Sequence, residues 1–327
     1  MMSANVSNEH DSTPAPPPVP NRLFALTETA ILHVEGADAR SYLHSQFSTD
    51  VQAYDPAASL LSSYSDPRGR LLAIPRLLPL GAEHIALVLP TEIIEPTAAR
   101  LQKYALRARV AFRPGGDDWR SLGLCGEAAG DALAALGRSV PVQANACSID
   151  GDGVAIVRLP DPRPRWSLHG PAERVERIAS GLADALAEGD EVGWRRLDIE
   201  AGLPRIVTAT SGRFVAQMVN LDRLAAIDFH KGCYPGQEVI ARTRYLGRIK
   251  RRMFILEGSG ETPPAPGDGV HREGSEQPVG EVVDAAPTEG GFVALAVLRL
   301  EAAESPLQVG AGVAHAQPPP YGLDEAD

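Results

Sequence analysis

Apolar residues recur along residues 21–252 with both strand-like and helix-like spacing, and neither spacing dominates. Apolar runs of strand length cover residues 32–34, 60–65, 71–80, 84–89 and 154–159. Helical spacing covers residues 38–47, 91–104, 171–185 and 194–201. Because the strands and helices alternate without the strict rhythm of a doubly wound sheet, the pattern predicts an α+β fold.

The pattern changes after Arg252. Apolar runs at residues 253–257, 279–284, 291–299 and 307–315 are separated by Gly, Pro and acidic residues, without a helical period. This arrangement is typical of short antiparallel strands joined by tight turns. The sequence therefore predicts a small antiparallel barrel or sandwich at the C-terminal end.

Both ends of the chain are rich in proline. Residues 12–20 contain five prolines, and three consecutive prolines occupy residues 318–320. Such a composition does not bury enough apolar surface to offset the entropy lost on ordering the chain. We therefore expect disordered tails at residues 1–20 and 317–327.

Composition narrows the class of protein. The 327 residues are 44% hydrophobic and 22% charged, as in soluble globular proteins, and the net charge of −11 argues against direct binding of nucleic acid. No apolar stretch approaches the roughly 18 residues of a membrane-spanning helix, so no membrane partner is expected. Three cysteines without a CxxC pair predict neither a disulfide framework nor a stably bound metal. Together these features indicate a cytoplasmic protein.

Positive charge is concentrated between the two predicted regions. Residues 231–252 contain seven Lys and Arg against one Glu, whereas residues 253–327 contain thirteen acidic residues against two arginines. A basic segment in an acidic protein predicts a local site for an anionic ligand. A solvated strand pair with surface ion pairs explains the same charge equally well.

The segment from Lys231 to Glu238 reads Lys-Gly-Cys-Tyr-Pro-Gly-Gln-Glu and carries the densest chemistry. Two glycines and a proline predict a tight loop that a ligand can approach closely. A thiol attacks only as the thiolate, and a cation at Lys231 or His230 favours that form of Cys233. Because the neighbours are polar and turn-forming, a functional role is favoured over a buried structural cysteine. Redox, metal-handling and acyl chemistry all remain open.

This segment, with Ala241-Arg242, Gly247 and Lys250-Arg251, resembles the signature of the YgfZ-type folate-binding proteins. These are relatives of the aminomethyltransferase (T-protein) of the glycine cleavage system. Supporting similarities cover residues 21–315 and occur at residues 36–51, 197–204 and 217–222. The resemblance implies a folate-binding α+β region at residues 21–248, with subdomains at about 21–115 and 116–248. A C-terminal β-barrel at residues 249–316 would follow it.

The resemblance also implies a site for tetrahydrofolate or a derivative. Glu200 would accept hydrogen bonds from the pterin, and Trp194 would form a stacking wall. Thr29 stands where some members carry a second tryptophan. Further cofactor-binding candidates from the signature are Tyr234, Gln237, Glu238 and Arg242.

The same resemblance assigns the reactive centre. Cys233 would be the reactive or transiently liganding group, and Lys231 would activate it electrostatically. The catalytic aspartate of the aminomethyltransferase falls on Ala73 or Ile74, and neither side chain can transfer a proton. Aminomethyl transfer is therefore not expected, and whether the protein is an enzyme stays open.

Three functions are compatible with these residues. The first is a folate-dependent accessory protein for the assembly or repair of iron–sulfur enzymes, including tRNA-modifying ones, with those enzymes or assembly proteins as partners. The second is a one-carbon transferase, for which we identify no acid–base carboxylate. The third is a non-catalytic folate-sensing scaffold that uses the two signature glycines only for loop shape.

Overall fold

The computed structural model describes residues 19–245 and 249–323. All but the last two residues of the predicted tail at 1–20 lie outside the described residues, as do 246–248 and 324–327. Gly247 of the signature belongs to the second of these gaps. No helix of the described residues is long and apolar enough to cross a membrane.

Six α-helices are present among the described residues. They are α1 (Ala39–Gln46), α2 (Ile94–Ala105), α3 (Glu127–Ala135), α4 (Ala172–Leu182), α5 (Glu191–Glu200) and α6 (Gln237–Tyr245). The helical spacing of the sequence predicts four of them, namely α1, α2, α4 and α5. Short 3₁₀ turns at Thr91–Ile93, Gly116–Asp118, Ala216–Val219 and Leu300–Ala302 complete the helical structure.

Nineteen strands are present among the described residues. Eight precede residue 115: β1 (Arg22–Ala25), β2 (Thr29–Glu35), β3 (Leu60–Leu61), β4 (Tyr64–Ser65), β5 (Leu71–Ala73), β6 (Arg76–Gly81), β7 (His84–Pro90) and β8 (Ala111–Pro114). Five follow up to residue 189: β9 (Trp119–Cys125), β10 (Cys147–Ile149), β11 (Ala155–Arg158), β12 (Arg165–Pro171) and β13 (Ala187–Gly189). Six form the C-terminal unit: β14 (Arg251–Gly258), β15 (Gly269–Arg272), β16 (Pro278–Thr288), β17 (Gly291–Arg299), β18 (Leu307–Val309) and β19 (Gly312–Gln317).

Two mixed α/β layers form the region before residue 200. The first sheet has the order β3-β6-β7-β2-β8, and α1 and α2 pack on its apolar face. The second sheet has the order β10-β11-β12-β9-β1-β13, and α3 and α4 cover one of its faces. This arrangement confirms the predicted α+β class.

The first strand of the chain belongs to the second layer. β1 pairs antiparallel with β9 and parallel with β13, both in the second sheet, although β2 immediately after it belongs to the first. The subdomain at 21–115 is therefore not a continuous unit at its N-terminal end. Local apolar spacing carries no information about this pairing, because the register joins Phe24 to Gly123 and all the strands and helices of the first layer lie between them in the chain.

The C-terminal unit is a closed antiparallel barrel, as the turn-rich pattern predicts. Its strand order is β14-β17-β16-β15-β18-β19, and β19 closes the barrel by pairing with β14. One face of β14 and β17 fills the barrel, and the other packs against the α+β region. Alternate side chains along each of these strands therefore pack into two different apolar cores, one inside the barrel and one against the α+β region.

Residues 201–240 form the junction between the layers and the barrel. Their apolar side chains share one buried cluster with Leu71 and Ile74, at β5 of a separate two-stranded sheet formed with β4 beside the first layer, and with Val283 and Leu295 of the barrel. Because this cluster contains residues from all three parts, the segment that carries the signature is fixed by the assembled fold.

The C-terminal segment differs from the expected disorder as far as the structure describes it. Gln317 pairs with Ile255, and Tyr321 donates a hydrogen bond of 2.9 Å to the carbonyl oxygen of Gly202. The hydroxyl of Tyr321 also accepts from Nδ2 of Asn220 at 3.3 Å. One aromatic anchor orders a segment that its proline content alone would leave disordered.

Replacing Tyr321 with Phe tests this anchor. The variant loses the hydroxyl that serves Gly202 and Asn220, so we expect the free energy of unfolding to fall by about 1–3 kcal/mol in urea denaturation. Tyr245→Phe is the control, because that side chain is 61% exposed and should change stability by less than about 0.5 kcal/mol. Equal stabilities for both variants would show that the tail is not anchored.

Candidate functional site

Lys231 attaches the start of the signature loop to the first layer. Its ammonium donates hydrogen bonds to the carbonyl oxygens of His44 and of Phe47, the latter at 2.6 Å. These carbonyls end α1, where the helix dipole favours a positive charge. Burial lowers the pKa of Lys231 to about 8, against the opposing effects of Asp50 and Asp228. Lys231 therefore holds the loop in place, and activation of Cys233 by it stays a prediction.

Gly236 attaches the end of the loop to the turn at residues 66–69. It has φ +83°, and an added Cβ would lie 2.7 Å from the Cα of Gly69 and 2.8 Å from the carbonyl oxygen of Asp66. Gly69 itself has φ +73° and faces the side chain of Val239. Loop and turn therefore meet backbone to backbone, a contact that only glycine permits.

Cys233 lies between these two attachments and is exposed. The other two cysteines are buried: burial raises the pKa of Cys147 to about 12 and also raises that of Cys125. Reactive thiols must be both accessible and able to ionise. Among the three, Cys233 alone meets the first requirement.

The remaining signature residues differ in exposure. Tyr234 is buried in the junction core, its ring centre lies 4.9 Å from Nζ of Lys231, and burial raises its pKa to about 12. Gln237 is half-buried and begins α6, a helix that local spacing does not reveal. Glu238 and Arg242 are exposed on that helix. The structure thus makes Tyr234 a core residue and presents Glu238 and Arg242 to solvent.

Glu200 ends α5 and is held between two arginines. Oε2 of Glu200 lies 2.5 Å from Nη1 of Arg163, and Oε1 lies 3.5 Å from Nε of Arg196. Asp161, whose side chain is fully buried, in turn binds Nε of Arg163 at 3.0 Å and Nη1 of Arg165 at 2.9 Å. This ion network keeps the Glu200 carboxylate at a fixed position.

Two cavities meet at Arg163 and Glu200. The larger, of about 1080 Å³, opens between this pair and the barrel, and we call it the Glu200 cleft. Apolar side chains of the cleft include Ile255, Phe292 and Val293, and polar ones include His315. The smaller, of about 430 Å³, lies on the side of Phe24 and Cys125. An acceptor carboxylate, a cation and apolar walls are the features of a small-molecule site.

Trp194 lies on the same helix as Glu200 but points into the core. It is 7% exposed, its ring stands 5.4 Å from that of Phe24, and the guanidinium of Arg165 lies 4.1 Å above it. Trp194 lines neither of the two cavities at Glu200. Its role as a stacking wall for a pterin stays a prediction.

The predicted site residues form two groups rather than one. Cys233, Lys231 and Tyr234 belong to the loop between α1 and the turn at 66–69, whereas Glu200 belongs to the cleft beside the barrel. Cys233 lines neither cavity at Glu200. A separate cavity of about 210 Å³ reaches the signature loop at Pro235 and is lined on its other sides by Gln46, Tyr64, Ser65, Pro67, Arg100 and Tyr104.

Sequence reasoning missed Arg163 and Asp161. The pattern Asp161-Pro162-Arg163-Pro164-Arg165 places three charges at alternate positions beside an apolar strand, and this was the available signal. Ala73 and Ile74, on one of which the resemblance places the transferase aspartate, are both buried. Neither side chain offers an acid–base group at this place.

The observed fold agrees with the solved structure and with the family model that this chain matches. The glycine cleavage system aminomethyltransferase T from Bartonella henselae superposes with a TM-score of 0.72 at 17% identity, covering 92% of this chain and 86% of that one. Residues 250–321 match the family described as CAF17, C-terminal beta-barrel domain. The fold is thus that of an aminomethyltransferase-like α+β region followed by a CAF17-type barrel.

Curated relatives identify the family. The tRNA-modifying protein YgfZ of Yersinia pestis (strain Pestoides F) is 31% identical over 97% of this chain and 98% of its own length. The protein of the same name from Cronobacter sakazakii is 30% identical over 94% of this chain and 95% of its own. The chain therefore belongs to the YgfZ family.

Thiol titration tests the exposure of the three cysteines. We expect an aromatic disulfide reagent to modify one thiol per native chain, three in denaturant, and none in the native Cys233→Ser variant. Cys125→Ser serves as the control and should leave the native count at one. Rapid modification of two or more native thiols would contradict the buried positions of Cys125 and Cys147.

Proposed function

We propose that this protein is a folate-dependent accessory protein of tRNA modification that acts through Cys233 on iron–sulfur enzymes or their assembly proteins. The observation that carries the proposal is an exposed cysteine on a loop that is attached at both ends. Membership of a family whose curated members are named tRNA-modifying proteins supports the tRNA link. The aminomethyltransferase-like fold supports the folate link.

The Glu200 cleft is the proposed binding site for tetrahydrofolate or a derivative. A reduced pterin presents a row of N–H donors, and leaving these unpaired on burial would cost about 1–3 kcal/mol. Arg163 holds Glu200 in position to act as an acceptor. The apolar barrel side chains Ile255 and Phe292 offer a surface for the flat rings.

Cys233 is the proposed point of action on the partner. An accessible thiolate is both a nucleophile and a ligand for soft metals. A single cysteine does not supply the four ligands that a stable iron–sulfur cluster usually requires, so any cluster contact is transient. Because Lys231 and Gly236 fix the loop, the sulfur is presented without the entropy cost of ordering it on contact.

The two sites have separate roles in this proposal. Cys233 does not line the Glu200 cleft, so the folate need not react with the thiol. Folate instead occupies a cleft built from α5 and the barrel, and Cys233 faces outward toward a macromolecular partner. The alternative of one-carbon transfer lacks an acid–base residue at Ala73 or Ile74.

Paired variants test this division of roles. We expect Cys233→Ser to bind tetrahydrofolate as tightly as the parent in calorimetry, yet to fail to restore tRNA thiolation in cells that lack the protein. Glu200→Gln should weaken tetrahydrofolate binding at least tenfold, because an amide replaces a charged acceptor. The exposed Glu301→Gln is the matched control and should change neither readout.

Each alternative has its own outcome. Full restoration of tRNA thiolation by Cys233→Ser would contradict a reactive cysteine and favour a folate-sensing scaffold. Turnover of an aminomethyl- or methylene-tetrahydrofolate by the purified protein would favour a transferase. Unchanged folate affinity in Glu200→Gln would exclude the Glu200 cleft as the site.

A further inference from the structure

Three potential metal ligands lie on one face of the first sheet, outside the signature loop and the Glu200 cleft. His33 and Glu35 are two residues apart on β2, and His84 of β7 stands directly opposite Glu35. Alternate residues of a strand share one face, and cross-strand partners stand side by side. The three side chains therefore converge, and one ligand atom from each lies within 4.8 Å of the other two.

The distances between the ligand atoms suit a small cation. Nε2 of His84 lies 2.9 Å from Nδ1 of His33 and 3.3 Å from Oε1 of Glu35. Bonds of about 2.0–2.1 Å to a tetrahedral Zn²⁺ place neighbouring ligand atoms about 3.3 Å apart. The Glu35–His84 contact already has this separation, and the pair of histidines needs to open by only about 0.4 Å.

The surroundings allow this small movement and keep one ligand rigid. His33 is fully buried, and its ring packs against Trp119 with a centroid distance of 4.5 Å. The side chains of His84 and Glu35 are 30% and 42% exposed, so they can adjust and a cation can enter from solvent. One fixed and two adjustable ligands form a partly preorganised site.

The ring nitrogens of the two histidines and the charge of Arg113 also affect metal binding. A histidine binds a metal through the lone pair of a ring nitrogen, and Nδ1 of His33 and Nε2 of His84 both face the cluster. Nη2 of Arg113 lies 3.2 Å from Oε1 of Glu35. This is the same oxygen that faces His84, so a cation bound there replaces the Arg113 contact, and the Arg113 side chain, which is 52% exposed, can turn away into solvent. The positive charge of Arg113 opposes a dication, which favours micromolar over nanomolar affinity.

We propose that His33, Glu35 and His84 form a binding site for a divalent transition-metal cation, with Zn²⁺ preferred. Two imidazoles and one carboxylate are a ligand set that binds Zn²⁺ and leaves a fourth position for water. Cysteine spacing, on which the expectation of no stably bound metal rests, carries no information about these three residues. This site is independent of the proposed function at Cys233.

Calorimetric titration with Zn²⁺ tests the site. All titrations use the full chain with Cys233→Ser, because an exposed thiol also binds zinc. We expect one Zn²⁺ per chain with micromolar affinity, a rise in the melting temperature with added Zn²⁺, and the visible bands of four-coordinate Co²⁺ on substitution. His84→Asn and Glu35→Gln should each weaken binding at least tenfold, and because both side chains are partly exposed we expect each variant to fold.

The barrel supplies a matched control. His271 is a half-exposed histidine on β15, and His271→Asn should leave Zn²⁺ affinity unchanged. Absence of stoichiometric binding at millimolar Zn²⁺ would overturn the proposal. Equal affinities for the parent, His84→Asn and Glu35→Gln would overturn it as well.

Discussion

A close contact between the backbone of the signature loop and the backbone of the turn at residues 66–69 determines where the loop lies. Gly236 approaches the backbone of Asp66 and Gly69 so closely that it accepts no Cβ atom, and Lys231 holds the other end of the loop on the last carbonyls of α1. These two attachments fix the position of Cys233, which lies between them. The turn at residues 66–69 therefore functions as a support for the loop, and its glycine serves contact as well as chain reversal.

This local constraint depends on the global fold. Residues 201–240 contribute to one apolar cluster shared by the first layer and the barrel, so the loop is in place only when these parts have assembled. Tyr321 joins the chain beyond the barrel to Gly202, at the end of α5. The same helix carries Glu200 at the cleft and buries Trp194 in the second layer. The two groups of candidate residues are thus separate in space but share one supporting framework.

Local sequence patterns predict which segments form helices and strands better than they predict which strands pair with one another. Helical spacing predicted α5, and the change of pattern after Arg252 predicted the barrel. The pairing of Phe24 with Gly123 was not predictable, because strand register is set by tertiary contacts. The signature indicated Cys233 directly, since its chemistry is contained within eight residues. By contrast, the contact of Glu200 with Arg163 arises only when α5 packs beside residues 161–165, and the cluster at His33 arises only when β2 pairs with β7.

The most direct test compares two glycines with nearly the same positive φ. Gly236 and Gly212 have φ +83° and +79°, but an added Cβ meets nothing within 4 Å at Gly212 and overlaps the backbone of the turn at Gly236. Both alanine variants place a Cβ on a residue with nearly the same positive φ, so their difference in free energy of unfolding reports the contact at Gly236. We predict that Gly236→Ala loses at least about 2 kcal/mol more than Gly212→Ala in urea denaturation. Equal losses would show that the loop does not rest on the turn.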